Sequence, residues 1–377
     1  MDDQGRHTIL HLCEHFGGKK ATFHGVARLF QWWMPNFDAA RFRVLLCSRR
    51  GWDKATDEMQ ASGITPLTLG YGKLDPRNLF ALIRLVRKER IDLIHAHGYG
   101  ACTWGRIAGW LMRIPVIVHE HCNYHTVPLP QRPAEWLLAP LTAHTFATSE
   151  SVRQFCIHKR YLKPEGVETL YNGILVTESP AVDSEWIAQL RRENGVPEGA
   201  LLMGVVGRIE GHKGLIDAMR ALQLVLKTNP NARLWIVGDG AYENEVRAFI
   251  SENKLDEVVR MLGFRRDVRK VIQAFDLQVF PSHEEATPNT LFEAMVAGLP
   301  AVATTADGQG EVLEHEKTAL LCEPGDIERL AANMKRMLDD SELRKRLAHN
   351  LHGLVKKFDG HATIRRMEDV YVQLLKK

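Results

Sequence analysis

Two doubly wound, Rossmann-like α/β domains are what this sequence predicts, on three observations. A chain of 377 residues with 45% hydrophobic residues can bury two ordinary cores. Short apolar runs ending in polar or glycine-bearing tips alternate with segments of helical periodicity, the pattern of parallel sheets with crossover helices. A stretch over residues 177–199, rich in Ser, Asp, Glu and Pro, separates two such series and marks a boundary. The domains expected are residues 1–175 and 176–360, followed by a final helix over 361–377.

Composition narrows the function. Net charge is +3, too little for a general nucleic-acid binder. Residues 1–176 carry 22 Lys and Arg against 15 Asp and Glu, whereas the remainder carries 27 against 31. A basic first half and an acidic second half suit different partners. The six cysteines, at positions 13, 47, 102, 122, 156 and 322, form no Cys-x-x-Cys pair and no framework spacing. They read as thiols in a reducing compartment. The opening Met-Asp-Asp-Gln-Gly-Arg-His holds no apolar signal core, and no run reaches membrane-span length. A cytoplasmic protein is expected.

Residues 8–13 read as the first strand, and Phe16, Gly17 and Gly18 as the turn after it, where glycine lets backbone approach a ligand. A helix follows with Val26, Leu29 and Phe30 on one side. Residues 42–47 are strand-like and 76–90 helical. Residues 91–98, Ile-Asp-Leu-Ile-His-Ala-His-Gly, form a buried strand with a polar tip. After a helix bearing Trp104 and Trp110, residues 114–121, Ile-Pro-Val-Ile-Val-His-Glu-His, form another. Side chains at i and i+2 of a strand share a face. His95 with His97, and His119 with His121, therefore line one side at the C-terminal strand ends, where open parallel sheets bind ligands. Together with Glu120 they could hold zinc or iron, form a substrate rim, or be satisfied histidines at loop edges. Residues 143–149 are a strand and 150–160 a helix.

In the second domain, residues 201–214 run from a strand into a loop with two cations, Arg208 and Lys213, beside a helix starting near Leu215. A fork-shaped Arg, a point-charge Lys and the amides of a helix N-terminus describe a diphosphate site. A solvated loop with chance cations is the alternative. Residues 234–240 are a strand and turn, lacking the third glycine and the acidic ribose partner of a dinucleotide fingerprint. Residues 259–262 form a strand leading to Gly263 and Phe264. Residues 277–280 form a short buried strand that Pro281 stops. A polar loop and a helix follow, with Thr287 as N-cap, Pro288 in the first helical position, and Gly298 with Pro300 at the far end. Glu285 lies before this helix and Glu293 about a turn and a half inside it. At roughly 1.5 Å per residue they stand on the order of 8 Å or more apart. That suits gripping two parts of one extended ligand. Between them, the amides of Asn289 and Thr290 point out of a positive helix end, a seat for phosphate. Residues 301–304 are a strand. The final helix repeats Ile364, Met367, Val370, Tyr371 and Leu374 at helical spacing.

The string from Pro281 to Pro300 resembles the Glu-x7-Glu signature of retaining, nucleotide-sugar-dependent glycosyltransferases of family 4. Their GT-B architecture sets two Rossmann-like domains facing a central cleft. Pro281, Ser282, Glu285, Pro288, Glu293, Ala294, Met295, Gly298 and Pro300 match it, whereas Ala286 and Thr287 stand where the family has Gly and an aromatic. A Cβ at position 286 resists a positive φ. Residues 207–214 resemble the family's Gly-Arg-x-x-x-x-Lys-Gly element, and residues 92–98 and 114–121 look like family segments, with His119 where Thr is common. Residues 169–173 resemble the last strand of its first domain and 307–311 a loop, Ala319 replaces a Gly, and the final helix crosses back to the first domain.

The resemblance implies roles. Arg208, Lys213 and the amides of Asn289 and Thr290 would hold the donor diphosphate, which the backbone of Gly17 and Gly18 would also approach. Phe264 would lie by the base, Glu293 would take the ribose hydroxyls, and Glu285 and His121 would meet the transferred sugar as the catalytic pair. The implied activity moves a hexose with retention from a UDP-sugar, or alternatively a GDP-sugar. The acceptor would be a glycan or lipid-linked glycan in bacterial cell-surface polysaccharide synthesis. No cofactor is expected. No two aspartates stand at i and i+2, the spacing that holds a metal in many other glycosyltransferases. The alternatives are a nucleotide-sugar epimerase or hydrolase of the same fold, or a non-catalytic nucleotide-sugar-binding protein.

Phe30, Trp32 and Trp33 near Arg41, Arg43, Arg49 and Arg50, with Trp104, Trp110 and Arg113, suit an anionic membrane surface. Peripheral contact at the inner face of the membrane is therefore expected. Core aromatics beside solvated arginines are the alternative.

Overall fold

Each of the two series folds into its own parallel sheet. The computed structural model of the chain describes residues 2, 4–17, 23, 25–73, 75–123, 127–175 and 180–376. One unit takes the chain up to Gly17, then Phe23–Gly173, and regains it from Gly360 onward; the other is Ile174–Asp359.

The first sheet holds β1 (His7–Cys13), β2 (Phe42–Ser48), β3 (Leu67–Thr68), β4 (Leu93–His97), β5 (Val116–Glu120), β6 (His144–Ala147) and β7 (Val167–Thr169). Their order is β3-β2-β1-β4-β5-β6-β7, every neighbouring pair parallel. The crossovers carry α1 (Gly25–Trp33), α2 (Lys54–Ala61), α3 (Arg77–Glu89), α4 (Tyr99–Met112), α5 (Arg132–Leu138) and α6 (Glu150–Lys159). Strands covered on both sides read as continuous apolar runs, which is why their ends were legible. On one face Leu10, Leu12, Ile94, Ala96, Val116 and Val118 pack with Leu82 and Val86 of α3 and Ala101 and Ala108 of α4. Helix starts are set locally. Asp53 accepts from the Thr56 amide at 2.9 Å in a capping box, and Ser149 accepts from the Val152 amide at 3.2 Å.

The second unit opens with α7 (Ser184–Glu193). Its sheet holds β8 (Leu202–Val206), β9 (Arg233–Val237), β10 (Val259–Gly263), β11 (Leu277–Phe280), β12 (Ala301–Thr304) and β13 (Leu320–Cys322). Their order is β10-β9-β8-β11-β12-β13, again parallel throughout. Its helices are α8 (Leu215–Leu226), α9 (Glu243–Glu252), α10 (Val268–Val271), α11 (Asn289–Ala297), α12 (Asp307–Val312), α13 (Ile327–Asp339) and α14 (Ser341–Gly353). Residues 307–311, expected as loop, are the start of α12. Met203, Ile236, Val279 and Val302 from the sheet and Met219, Leu222, Met334 and Met337 from α8 and α13 share one core.

The last helix, α15 (Gly360–Leu375), belongs to the first unit. Arg366 donates from Nε and Nη2 to Glu168 at 2.7 and 2.8 Å, and the Asp38 amide donates to Glu368 at 2.7 Å. The chain leaves that unit at Gly173, where φ is +63° and a Cβ would stand 2.6 Å from Thr363 Oγ1 and 2.9 Å from Gly360 Cα. Only glycine fits both the conformation and the space. The chain passes between the units at 173/174 and 359/360. The first unit's last strand is β7 rather than residues 169–173; Asn172 and Gly173 form the crossing instead.

One expectation about the surface is corrected. Phe30, Trp32 and Trp33 are core residues, and Arg49 is fully buried, gripping Glu14 and the Tyr71 carbonyl. Arg43 is tied to Glu89 at 2.6 Å. An α1 patch facing a membrane is excluded. Elsewhere, Trp110 on α4 is 63% exposed and Trp136 on α5 66%. No helix among the described residues is long and apolar enough to cross a membrane.

Candidate active site

In a doubly wound sheet the crevice opens where the strand order reverses, beyond the C-terminal strand ends. In the second unit that point lies between β8 and β11. The loop after β8 carries Arg208 and Lys213; the loop after β11 carries Glu285 and leads into α11. Topology alone thus brings together two motifs some seventy residues apart in sequence.

Backbone contacts lock the two loops. The His283 amide donates to the His212 carbonyl at 2.8 Å. Gly214, at φ +65°, presses so close to the Pro281 carbonyl that a Cβ there would sit 1.9 Å from the oxygen. The neighbouring β9 loop joins them: the Ile209 amide donates to the Asp239 carbonyl at 2.8 Å, and a Cβ on Gly238 would lie 1.9 Å from the Gly207 carbonyl oxygen. On the other side, Thr304 Oγ1 donates to the Ser282 carbonyl at 2.6 Å.

Charge concentrates here. Lys213 Nζ is paired with Glu285 Oε2, both side chains mostly shielded. Arg208 Nη1 lies 3.6 Å from Glu210 Oε1. The Glu285 backbone is fixed at both ends, its amide donating to Asp307 at 3.2 Å and its carbonyl accepting from the Gly308 amide at 3.1 Å. The helix begins one residue later than expected, with Pro288 at the cap position and Asn289 and Thr290 first in the helix. Thr287 spends its hydroxyl on the Ala286 carbonyl at 2.7 Å and is not the N-cap. Ala286 does not take a positive φ, so its Cβ is accommodated. Gly298, at φ +66°, ends the helix as expected.

Glu293 lies inside α11 with its side chain fully shielded, Oε1 3.7 Å from Arg269 Nε. Sequence reasoning missed Arg269. The signal was the run Phe264-Arg265-Arg266-Asp267-Val268-Arg269 after β10. Phe264 follows Gly263, whose carbonyl accepts from the Gly238 amide at 2.9 Å, so the β10 loop adjoins the β9 and β8 loops. Arg208, Lys213, Phe264, Glu285, Asn289, Thr290 and Glu293 thus all belong to the C-terminal strand-end loops or to α11 of one unit.

Gly17 and His121 belong to the other unit; Gly18 lies outside the described residues. His121 follows β5. Strand alternation and register set His11, His95, His97, His119 and His121 on one face of the first sheet, with Trp33 and Phe30 of α1 and Tyr371 of α15 against them. Burial pushes the His11 and His121 imidazoles down to about 3 and those of His95, His97 and His119 well below the usual range. All five are neutral at pH 7. Sequence reasoning missed His11 and Tyr371, although a histidine inside the apolar run of β1 was a legible oddity.

Glu120 is not part of this cluster. Alternation turns it to the opposite face, where it pairs with Arg160. Arg160 Nε also holds Glu135 at 3.0 Å, and Arg106 Nη2 holds Glu135 at 2.8 Å, all buried. Burial holds the Glu120 carboxyl above its usual range against the pull of Arg160. At Glu135 burial also acts upward, but Arg160 and Arg106 outweigh it and leave that carboxyl low.

Residues 23–177 match the family model described as Glycosyltransferase Family 4, and residues 187–352 the one described as Glycosyl transferases group 1. With two Rossmann-like parallel sheets, the matches define a class: a GT-B protein. More narrowly, the first part of the chain is similar to glycosyltransferase family 4 and the second to glycosyl transferases group 1. It is 24% identical over 345 residues to the UDP-Gal:alpha-D-GlcNAc-diphosphoundecaprenol alpha-1,3-galactosyltransferase of Escherichia coli, covering 88% of this chain and 89% of that protein. It is also 24% identical over 304 residues to the N-acetyl-alpha-D-glucosaminyl L-malate synthase of Bacillus anthracis, covering 78% of each. The crystal structure of Anabaena HepE in complex with UDP-glucose shares the fold at a TM-score of 0.82, with 23% identity over 97% of this chain and 99% of that one. A Rickettsia africae glycosyltransferase does so at 0.82, with 17% identity over 99% of each.

Proposed function

We propose that the chain transfers a hexose with retention from a UDP-sugar to a glycan or lipid-linked acceptor in bacterial cell-surface polysaccharide synthesis. It does so without a metal cofactor, at the inner face of the membrane. The observation that carries this reading is the Lys213–Glu285 pair across the β8/β11 reversal, beside the start of α11. A sugar diphosphate fits such a pair end to end. Its phosphates take the Lys213 ammonium, the Arg208 fork and the Asn289 and Thr290 amides, while its sugar hydroxyls take Glu285. Those cations and the helix dipole stabilise the diphosphate as its charge grows on bond cleavage. The leaving phosphate accepts the acceptor's proton on the face it departs from, which keeps the anomeric configuration. Within the same unit Glu293 holds the ribose and Phe264 adjoins the base. A UDP-sugar is favoured over a GDP-sugar by the name of the Escherichia coli relative and by the UDP-glucose complex of HepE.

Metal independence is supported by the charge already present at the diphosphate seat. The imidazoles, by contrast, lie on the other unit and spend their nitrogens largely on one another. The test is a nucleotide-sugar panel read by thermal shift, followed by nucleotide release with and without glycan acceptors, before and after exhaustive chelation. A UDP-sugar should stabilise the protein, release should require an acceptor, and EDTA should leave turnover unchanged. Release without acceptor would mean hydrolysis, and binding without release a non-catalytic binder. Activity lost to EDTA and restored by zinc or magnesium would overturn the charge assignment.

The acceptor side favours lipid. Phe80 of α3, Trp110 and Leu111 of α4, and Trp136 and Leu137 of α5 are exposed, and α4 packs against both neighbours. These three helices carry only two carboxylates, Glu89 and Glu135; the first is tied to Arg43 and the second is buried. Aromatics among cations such as Arg84, Arg87 and Arg113, which pair with no carboxylate among the described residues, fit an anionic lipid surface. The Escherichia coli relative, by its name, acts on a diphosphoundecaprenol-linked sugar. Co-sedimentation with phosphatidylglycerol vesicles is expected at low salt and should weaken as salt rises, or when Trp110 and Trp136 become serine. No binding at low salt removes the lipid assignment.

A further inference from the structure

We infer that Tyr371 is the turning point of one hydrogen-bonded chain of five imidazoles that couples the ring nitrogen on which His121 carries its proton to the direction of the Tyr371 hydroxyl. Three links join imidazoles directly: His121 Nε2 to His97 Nδ1 at 2.9 Å, His97 Nε2 to His11 Nδ1 at 3.0 Å, and His95 Nε2 to His119 Nδ1 at 3.2 Å. In each of these pairs the ring centroids are 5.2 Å apart and the planes lie within 24° of one another. Nearly coplanar rings at that spacing meet edge to edge, the geometry of an in-plane N–H···N bond. The Tyr371 hydroxyl bonds both strings, 3.1 Å from His11 Nε2 and 2.6 Å from His95 Nδ1. The strings then lie face to face, with centroids 4.2 Å apart for His119 and His121, 4.5 Å for His95 and His97, and 4.6 Å for His11 and His95. The chain is a hairpin closed by Tyr371.

Proton counting constrains it. A neutral imidazole has one donor and one acceptor nitrogen, and each link needs one of each. If Tyr371 donates to His95, every later proton follows. His95 Nε2–H points at His119 and His119 Nε2 carries the outward proton. On the other arm His11, His97 and His121 donate from Nε2 in turn, and His121 Nδ1 is left as a lone pair. If Tyr371 donates to His11, all five tautomers reverse. Then His121 Nδ1 bears the outward proton and His119 Nε2 the lone pair. His121 Nδ1 and His119 Nε2 are the two chain ends, each buried without a hydrogen-bond partner among the described residues. A second proton on an inner ring would set N–H against N–H.

The groups packed on the chain do not break it. Trp33, Phe30, Phe37 and Phe146 offer ring faces and edges. His144 turns to Glu168, itself held by Arg366, while Glu368 caps the Asp38 amide. Two triads, His11 with His95 and His97, and His97 with His119 and His121, bring one ring nitrogen each within 4.8 Å of one another, close enough for a metal, but the hydrogen-bonded chain spends most of those nitrogens on one another. The use of His121 at a donor sugar rests on the transferase reading; the coupling of its tautomer to Tyr371 does not.

The test is 15N NMR of histidine-labelled full-length protein without donor, with assignments from single His→Gln variants. Wild type should show couplings across the three N–H···N links, and each chain imidazole should show one protonated and one bare nitrogen. Tyr371→Phe removes the turn, so His121 and His119 should lose their single-tautomer patterns and shift toward averaged values. Absence of the couplings in wild type overturns the inference without any variant. So does a Tyr371→Phe spectrum in which His121 is unchanged. Either result leaves the transfer assay untouched, and a failed transfer assay leaves the couplings standing.

Discussion

Arg160→Ala is expected to destabilise the first unit by about 3–5 kcal/mol, because it strands two buried carboxylates with only Arg106 for charge among the described residues. That is a large fraction of the roughly 5–15 kcal/mol that holds an ordinary domain folded. The deficit depends on pH with a definite sign. The Glu120 carboxyl sits above its unfolded value through burial, so protonating it favours the folded state. Stability from that source is full below the unfolded value and is lost as pH rises through the folded one. The variant should therefore recover part of its loss on mild acidification and look worst at alkaline pH. Urea unfolding of variant and wild type over a pH series measures this. A loss under about 1 kcal/mol at neutral pH, the size of an exposed ion pair, would show that the cluster does not hold the unit together.

Lys213→Ala should weaken donor binding or turnover by roughly 1.5–3 kcal/mol, the contribution of one charge-assisted contact. That is roughly one to two powers of ten in affinity or rate. The variant also frees Glu285 from its cation, so folding is checked separately by thermal unfolding. Isothermal titration with UDP and steady-state turnover give the two readouts. Both remaining near wild type would remove Lys213 from the diphosphate seat and leave its contact with Glu285 as a structural ion pair.

Much of this was legible because the second unit writes its site into short, unbroken strings. Leu277–Phe280 and Ala301–Thr304 fall where apolar runs and Pro281 set them, and Gly298 closes α11 as its αL geometry requires. Other features needed the third dimension. Glu120 adjoins two histidines in sequence, yet a period of two sends it to the opposite face, a correction the strand rule itself supplies. Whether Trp33 meets lipid or histidine, and whether Arg49 is solvated or buried against Glu14, depends on which helix covers which strand. Asp307–Val312 hid as a helix because Asp-Gly-Gln-Gly is poor helix sequence, held there by the ties around Glu285 and Thr304. Tyr371 looked like one more apolar position of an amphipathic helix; its hydroxyl became informative only beside His11 and His95.

The return of α15 to the first sheet has a consequence for biosynthesis. Ile174–Asp359 is one uninterrupted stretch and has every strand of its sheet once Asp359 has emerged from the ribosome. The earlier sheet is translated before it, yet the Asp38 amide, Glu168 and the imidazoles of His11 and His95 wait for Glu368, Arg366 and Tyr371. Closing that gap means joining residues more than 300 positions apart, as between Asp38 and Glu368. Vectorial synthesis therefore inverts the usual order: the domain begun first is completed last, and until then the part of its histidine-bearing face that Tyr371 covers stays open to chaperones and proteases.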